Sequence, residues 1–145
     1  MKKTYFLFLA FTILIVGCAT TPKWEKLISK SKVFNASYDN VWNATIKALV
    51  TSGENITAIQ KEDGIISFRR PLPINEIRKY ASTNLLYGYP HSVANINIIL
   101  VKQNSGATEV TVNAKIVAGG TLQLDSKGII EKEYLDKITT FLIDK

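Results

Sequence analysis

Residues 93–117, VANINIILVKQNSGATEVTVNAKIV, carry the pattern that decides the fold. Aliphatic side chains recur at every second position on both sides of a turn: Ala94, Ile96, Ile98, Leu100, Val110, Val112, Ala114 and Ile116. Mostly polar residues stand between them, and Asn104-Ser105-Gly106 supplies the turn. A period of two with one apolar side predicts antiparallel strands over 93–102 and 109–117, with one face buried and the other in water.

The segment before these strands predicts a helix over 38–52. Its mostly apolar face recurs at helical spacing: Tyr38, Val41, Trp42, Thr45, Ile46 and Leu49. Ser37 stands at the N-cap, where its hydroxyl can accept a hydrogen bond from a free backbone N–H. Asp39 places a negative charge in the first turn, and Gly53 suits the C-terminal cap.

Further elements flank this helix. Two β-rich segments, 56–60 and 65–69, are joined by Lys61-Glu62-Asp63-Gly64, and Asp-Gly in a tight connection predicts a hairpin. A short strand is predicted at 32–34. The spacing of the apolar residues near the C-terminus predicts a second amphipathic helix over 129–143: Ile130, Tyr134, Leu135, Ile138, Phe141 and Leu142.

These elements predict a two-layer α+β fold. Residues 121–124 form a further short strand or continue the strand before them. We expect four to five strands to make up the antiparallel sheet that packs against the helices. Two helices with one apolar stripe each, and a sheet with one apolar face, can bury all three only by stacking both helices on one side of the sheet. We expect four side chains to fill the space between the layers: Trp42, Ile46, Phe68 and Phe141.

The N-terminus has the pattern of an export signal. Lys2 and Lys3 precede an uncharged, mostly apolar run, 5–16, which is too short to span a membrane. The run ends in Leu14-Ile15-Val16-Gly17-Cys18, which resembles the lipobox of bacterial lipoproteins. The resemblance implies cleavage before Cys18 and attachment of lipid to its sulfur and amino group. The alternatives are an ordinary signal peptide with an incidental Cys, or a buried structural Cys.

This pattern divides the chain into three parts: a lipoprotein signal peptide over 1–17, a lipidated Cys and tether over 18–31, and a single helix-grip-like domain over 32–145. Acyl chains on Cys18 would attach the protein to a membrane of the cell envelope. Ala19 and Thr20 follow the Cys without an Asp at the second position, which in the enteric sorting rule favours the periplasmic face of the outer membrane over the inner membrane in a Gram-negative host. Trp24 either rests at the membrane interface or, with Leu27 and Ile28 at helical spacing, packs on the domain.

The order of strand, helix, strands and C-terminal helix resembles the helix-grip domains of bacterial lipoproteins. The carriers of the resemblance are Ser37-Tyr38-Asp39-Asn40-Val41-Trp42 and Lys61-Glu62-Asp63-Gly64-Ile65-Ile66. Such domains occur in the outer-membrane assembly lipoprotein BamC and in related small lipoproteins of unassigned role. The resemblance covers about 33–143 and rests on structural residues, so it implies a fold more than an activity.

Composition excludes several functional classes. The 145 residues include one Cys and one His, so neither an intramolecular disulfide nor a cysteine- or histidine-rich metal site can form. Motifs for a nucleophile elbow, a phosphate loop and a zinc protease are absent, and no basic block interleaved with aromatics indicates nucleic acid. His91 and the acidic pairs Glu62-Asp63 and Glu131/Glu133 have ordinary loop, turn and helix-dipole explanations. We expect no catalytic residue, no metal and no cofactor.

The stretch 69–92 is a long connection for a small domain, and such loops are often functional. Its basic and aromatic residues are of the types enriched in protein interfaces, and four of them are the predicted partner-binding set: Arg69, Arg70, Tyr87 and Tyr89. The structural alternative is a partly helical cover in which Ile74, Ile77 and Leu85 fill the core.

The sequence therefore predicts a lipid-anchored envelope protein of non-enzymatic type that binds or helps to assemble another envelope component. The alternative is a carrier of a small apolar, lipid-like molecule held in a cavity between helix and sheet.

Overall fold

In a computed structural model, residues 28–82 and 89–143 are described. Their elements, in chain order, are β1 (Ser31–Phe34), α1 (Tyr38–Thr51), β2 (Asn55–Gln60), β3 (Ile65–Leu72), α2 (Ile77–Tyr80), β4 (Ser92–Lys102), β5 (Thr108–Ala118), β6 (Leu122–Asp125) and α3 (Ile129–Ile143). Within these residues, no helix combines the length and the apolar character needed to cross a membrane.

The sheet is antiparallel, and its strands lie in the order β1-β5-β4-β3-β2. The sixth strand, β6, pairs with β5 on the same edge as β1, because β1 pairs with Thr108–Thr111 and β6 with Lys115–Ala118. The α+β class, the antiparallel sheet and the two flanking helices are confirmed. The prediction gave four to five strands, whereas the sheet has six. The additional strand is β6, which turns back and pairs with β5.

The core lies between one face of the sheet and the two long helices. Side chains of β4 and β5 at even positions are buried there, from Ala94 to Leu100 and from Val110 to Ile116. Burying each aliphatic side chain of this size contributes roughly 1.5–3 kcal/mol. The rings of Phe68 and Tyr134 meet edge to face with their centroids 5.0 Å apart, which joins β3 to α3. This aliphatic and aromatic layer holds the domain together.

The four side chains predicted to fill the space between the layers divide into two pairs. Trp42 and Phe68 are buried in the core, whereas Ile46 and Phe141 are half-buried at its margin. The Trp42 ring also stacks against Tyr38, with centroids 6.0 Å apart.

The helix ends follow the predicted capping. The Ser37 side chain accepts a hydrogen bond from the Asn40 N–H, and α1 ends at Thr51, one residue before the predicted end. At α3, the Ser126 hydroxyl accepts from the Gly128 N–H and donates to the Glu131 carboxylate at 2.6 Å. Glu131 has no solvent exposure: Ser126 satisfies its Oε2, and the charge of Lys30 lies 3.3 Å from its Oε1.

The stretch 69–92 is less open than predicted. Strand β3 continues to Leu72 instead of ending at Arg69. Its neighbour β2 begins opposite Arg69, so Pro71 lies where β3 has a neighbour on one side only. A proline without an N–H is tolerated at such an edge. Ile77 in α2 is 2% exposed and fills the core as expected, but Ile74 is 53% exposed, so its predicted core role is wrong. Leu85 lies outside the described residues.

Gly64 allows the β2–β3 hairpin to fold against the end of β4. Its φ is +70°, and its carbonyl accepts a hydrogen bond from the Leu100 N–H at 2.8 Å. A Cβ at this position would lie 2.2 Å from the Leu100 carbonyl oxygen. The turn is held from the other side by the Tyr38 hydroxyl, which donates to the Lys61 carbonyl at 2.5 Å.

Replacing Gly64 tests its close approach to the Leu100 backbone. Gly64→Ala and Gly106→Ala both place an alanine at positive φ, but a Cβ at Gly106 would meet no atom within 4 Å. We expect Gly106→Ala to lose about 1–2 kcal/mol from the unfavourable φ alone. Gly64→Ala is expected to lose about 1–3 kcal/mol more, because the Leu100 backbone must shift. Urea unfolding of both variants measures the difference, and equal losses would contradict the contact.

Candidate partner-binding surface

Arg69 and Arg70 lie on opposite faces of the sheet. Side chains alternate along β3, and Phe68, Arg70 and Leu72 point to the helix side. Arg69 points to the other side, which we call the open face because no described element covers it, and its side chain is exposed. The two neighbouring arginines of the predicted set therefore belong to different environments.

Arg70 takes part in a half-buried polar cluster between β3, α2 and α3. Its guanidinium donates to Glu133 Oε2 at 2.7 Å and to the Tyr80 hydroxyl at 3.3 Å. Lys79 Nζ donates to the same hydroxyl at 2.9 Å and lies 3.5 Å from Glu133 Oε1. One carboxylate thus joins two cations and a tyrosine, which ties the short helix α2 to α3.

The charges of this cluster oppose the effect of burial. Burial by itself raises the pKa of the Glu133 carboxyl. The hydrogen bond and charge of Arg70, together with the charge of Lys79, outweigh this effect, so the pKa of Glu133 lies below its ordinary value. Burial alone likewise lowers the pKa of the Arg70 guanidinium, and its bond to Glu133 raises it overall. Both groups are therefore ionised at neutral pH and satisfy each other, so Arg70 has a structural partner within its own domain.

The tyrosines of the predicted set do not add to an exposed patch. Tyr89 is half-buried against the core, and its ring lies beside Gly119, where a Cβ would come within 3.0 Å of Tyr89 Cδ1. The Tyr89 carbonyl accepts a hydrogen bond from Ser92 Oγ at 3.0 Å. Tyr87 lies outside the described residues. Of the three members of this set that the structure describes, Arg69, Arg70 and Tyr89, no two share an exposed surface, and Arg69 is the exposed one.

Around Arg69, strand register creates a polar row across the open face. Asn55, Arg69, Asn95, Lys115 and Asp125 are successive cross-strand neighbours on β2, β3, β4, β5 and β6. With strands about 4.8 Å apart, the row is about 19 Å long. At its end, Lys115 Nζ contacts Asp125 Oδ1 at 2.6 Å, and the hydrogen bond and charge of Lys115 lower the pKa of Asp125.

A second polar row runs beside the first. Ser67, Asn97 and Asn113 are cross-strand neighbours, and Ser67 Oγ donates to Asn97 Oδ1 at 2.7 Å. These two rows of the open face thus offer two cations, several side-chain amides and a hydroxyl. Alternation predicted that this side of β4 and β5 is wet, but only the register shows which polar residues of different strands are neighbours.

The acidic pairs and the histidine have structural explanations. Lys61 in the hairpin turn contacts Asp39 at 2.9 Å, whereas Glu62 and Asp63 beside it are exposed. His91 is exposed with φ +55°, and the hydroxyl of its neighbour Ser92 is engaged elsewhere. Across the two described segments, no group of three His, Cys, Asp or Glu side chains is arranged to hold a metal ion.

The Glu133 ion pairs generate a pH-dependent prediction. Glu133→Gln removes a charge-assisted bond to Arg70 and is expected to lose about 1.5 kcal/mol of unfolding free energy at pH 7. Because the folded pKa of Glu133 is lowered, its contribution is complete above the ordinary value of 4.5 and disappears as the pH falls through the folded pKa. The difference in unfolding free energy between the wild type and Glu133→Gln should therefore become smaller below about pH 4.5.

Asp136→Asn is the matched control. Asp136 lies on the same helix as Glu133 and also forms an ion pair, with Lys132, but its side chain is exposed. We expect a loss below about 0.5 kcal/mol for this surface pair. Chemical unfolding of the three proteins between pH 3 and 7 measures both effects. A gap for Glu133→Gln that stays constant with pH would contradict the described pairing.

Comparison with known proteins gives no family. No protein-family model and no curated protein matches the chain. Among solved structures, it is similar to the adenylate sensor of AMP-activated protein kinase in complex with ZMP, with 12% identity, 79% of this chain and 95% of that chain covered, and a TM-score of 0.48. It is also similar to a DUF4468 family protein from Bacteroides ovatus, with 11% identity, coverages of 77% and 84%, and a TM-score of 0.44. Both TM-scores are below 0.5, so neither similarity carries an inference about function.

Proposed function

We propose that this protein is a lipid-anchored component of a bacterial cell envelope, of non-enzymatic type, whose domain binds another envelope component. The lipid anchor is inferred from the order of features at the N-terminus. A basic start and an apolar run are followed by the small residue Gly17 and then by Cys18, the only Cys in the sequence. Two or three acyl chains hold a protein firmly at a bilayer, whereas one chain binds marginally. The absence of Asp after Cys18 favours the outer membrane, on its periplasmic face, in a Gram-negative host.

The binding role is assigned to the open face of the sheet, with Arg69 at its centre. This face lies opposite the helices, so a partner can approach it without displacing any described element. Arg69 and Lys115 offer donors on one row, and the amides of Asn97 and Asn113 offer both donors and acceptors on the next. Arginine is among the residues that most often carry binding energy in interfaces.

The alternative function, transport of a small apolar molecule, needs space between the helices and the sheet. In the described structure this space is occupied by large side chains: Trp42, Phe68 and Tyr134 are all buried. Tyr134 is also fixed at its far end by a hydrogen bond from its hydroxyl to Glu54. This packing supports a surface-binding role over a carrier role.

The anchor is tested by metabolic labelling. We expect labelled palmitate on the wild-type chain, none on Cys18→Ala, and unchanged labelling on the control Thr20→Ser. Globomycin, which blocks the lipoprotein signal peptidase, should cause the precursor with residues 1–17 to accumulate. An unlabelled wild-type protein that keeps Met1 would refute the anchor, and density-gradient fractionation of the labelled protein tests the outer-membrane assignment.

The binding surface is tested by photo-crosslinking in intact cells. A photoreactive residue at Asn97, on the open face, should give a discrete crosslinked product. The same residue at Lys47, exposed on α1, is the control and should give none. Arg69→Ala should reduce the Asn97 product by about tenfold, as expected for loss of one central interface side chain.

Lys102→Ala is the matched charge control, because Lys102 is exposed at the end of β4 but lies on the helix side of the sheet. It should leave the Asn97 product unchanged. Crosslinks of equal yield from Asn97 and Lys47, or equal effects of Arg69→Ala and Lys102→Ala, would remove the open face as the binding surface.

A further inference from the structure

A groove separates the start of the described chain from helix α3. It encloses about 590 Å³ and is lined by Ile28, Ser29, Ser31 and Lys32 on one side and by Lys132, Leu135 and Asp136 on the other. Leu135 and Ile28 supply apolar surface, and the charged side chains lie at the rim. The volume is within the range of sites that hold a large side chain or a small molecule.

The chain enters the domain at this groove, and its entry point is fixed by three contacts. The Lys30 carbonyl accepts a hydrogen bond from the Val112 N–H at 2.8 Å, and Lys30 Nζ lies 3.3 Å from the buried Glu131 carboxylate. Ile28 packs so closely on Gly128 that a Cβ there would lie 2.8 Å from the Ile28 Cβ. Residues 28–30 are thus attached to the domain, and the segment before them starts beside the groove.

We propose that this groove is the docking site for residues 24–27 of the same chain, with the Trp24 indole as the apolar anchor. Trp24 precedes Ile28 by four residues, so it lies at most about 14 Å from it along an extended chain. A ligand attached by so short a connection has a high effective concentration at the groove, which a separate molecule lacks. The fixed position of Ile28 therefore favours this segment over other occupants.

The chemistry of the segment also matches the groove. Trp24 and Leu27 are the large apolar side chains between residues 19 and 27. An indole face attracts the ammonium groups of lysines, and two lysines, Lys32 and Lys132, lie at the rim. The charges of the segment do not add to this fit, because Glu25 lies between Lys23 and Lys26 and residues 19–27 carry a net charge of +1, so the apolar side chains carry the docking.

Docking has a consequence for a protein held at a membrane by the proposed lipid anchor on Cys18. With residues 24–27 bound, the free tether shortens from nine residues to five, and its maximal reach falls from about 31 Å to about 17 Å. The edge formed by β1 and α3 would then stay close to the bilayer.

Disulfide trapping in the full chain tests the docking. Glu25→Cys is combined with Asp136→Cys at the groove or, as the matched control, with Asn113→Cys. Asn113 follows Val112, which bonds Lys30, so it is close to the entry point, but it lies on the open face. Asp136 and Asn113 are both exposed, so neither change should impair folding.

The groove pair should form its intramolecular disulfide about tenfold faster than the control pair, because a docked segment keeps the two cysteines close. Adding Trp24→Ser to each pair should remove the difference. Equal rates for the two original pairs, or a disulfide that forms between two chains, would overturn the proposal.

A second measurement avoids new cysteines. The fluorescence of the wild-type chain minus that of Trp24→Phe reports Trp24 alone, since Trp42 is common to both. A docked indole should emit at shorter wavelength and be quenched by acrylamide several-fold less than free tryptophan, and an emission equal to that of free tryptophan would contradict docking.

Cys18 is kept in both experiments, and peptide mass mapping assigns each disulfide. A free Cys18 thiol in these samples would contradict the lipid anchor without changing the comparison between Asp136 and Asn113. The two proposals therefore fail through different observations.

Discussion

The burial of one aliphatic face of the sheet under two helices is the interaction on which the rest of the structure depends. Side chains of β4 such as Ile96 and Ile98 lie in this layer with almost no exposure. Because side chains alternate along a strand, burial of these positions turns their neighbours outward, and a shift of one residue would exchange the two faces. The polar open face around Arg69 is thus a direct consequence of the core, and any binding function of that face depends on the same packing.

Polar contacts at the margins of the core then fix where the elements end. Arg70 and Glu133 join the end of β3 to α3, and Tyr134 of the same helix bonds Glu54 beyond the end of α1. Glu131, without exposure, is held by Ser126 and lies beside Lys30. A carboxylate in such a place is costly unless it is hydrogen-bonded and paired, so these partners select one arrangement of chain entry and helix start.

The proposed anchor and the proposed binding surface lie at different parts of the domain. The chain enters beside α3, where Ile28 and Lys30 contact the domain, whereas the open face lies on the other side of the sheet from the helices. With the proposed tether on one edge, the open face of the domain would stay accessible beside a bilayer.

The sequence by itself determined the two long helices, the main strands and the fold class, because these depend on local periodicity and capping, while the lipid anchor stays a prediction. The period-two pattern of β4 and β5 and the spacing in the two long helices needed no long-range information. Only the tertiary structure decided which polar residues are neighbours. It separated Arg69 from Arg70, paired Arg70 with Glu133 and buried Ile77 but not Ile74. These outcomes depend on strand register and on contacts between residues far apart in the chain, and neither leaves a local pattern from which it could be predicted.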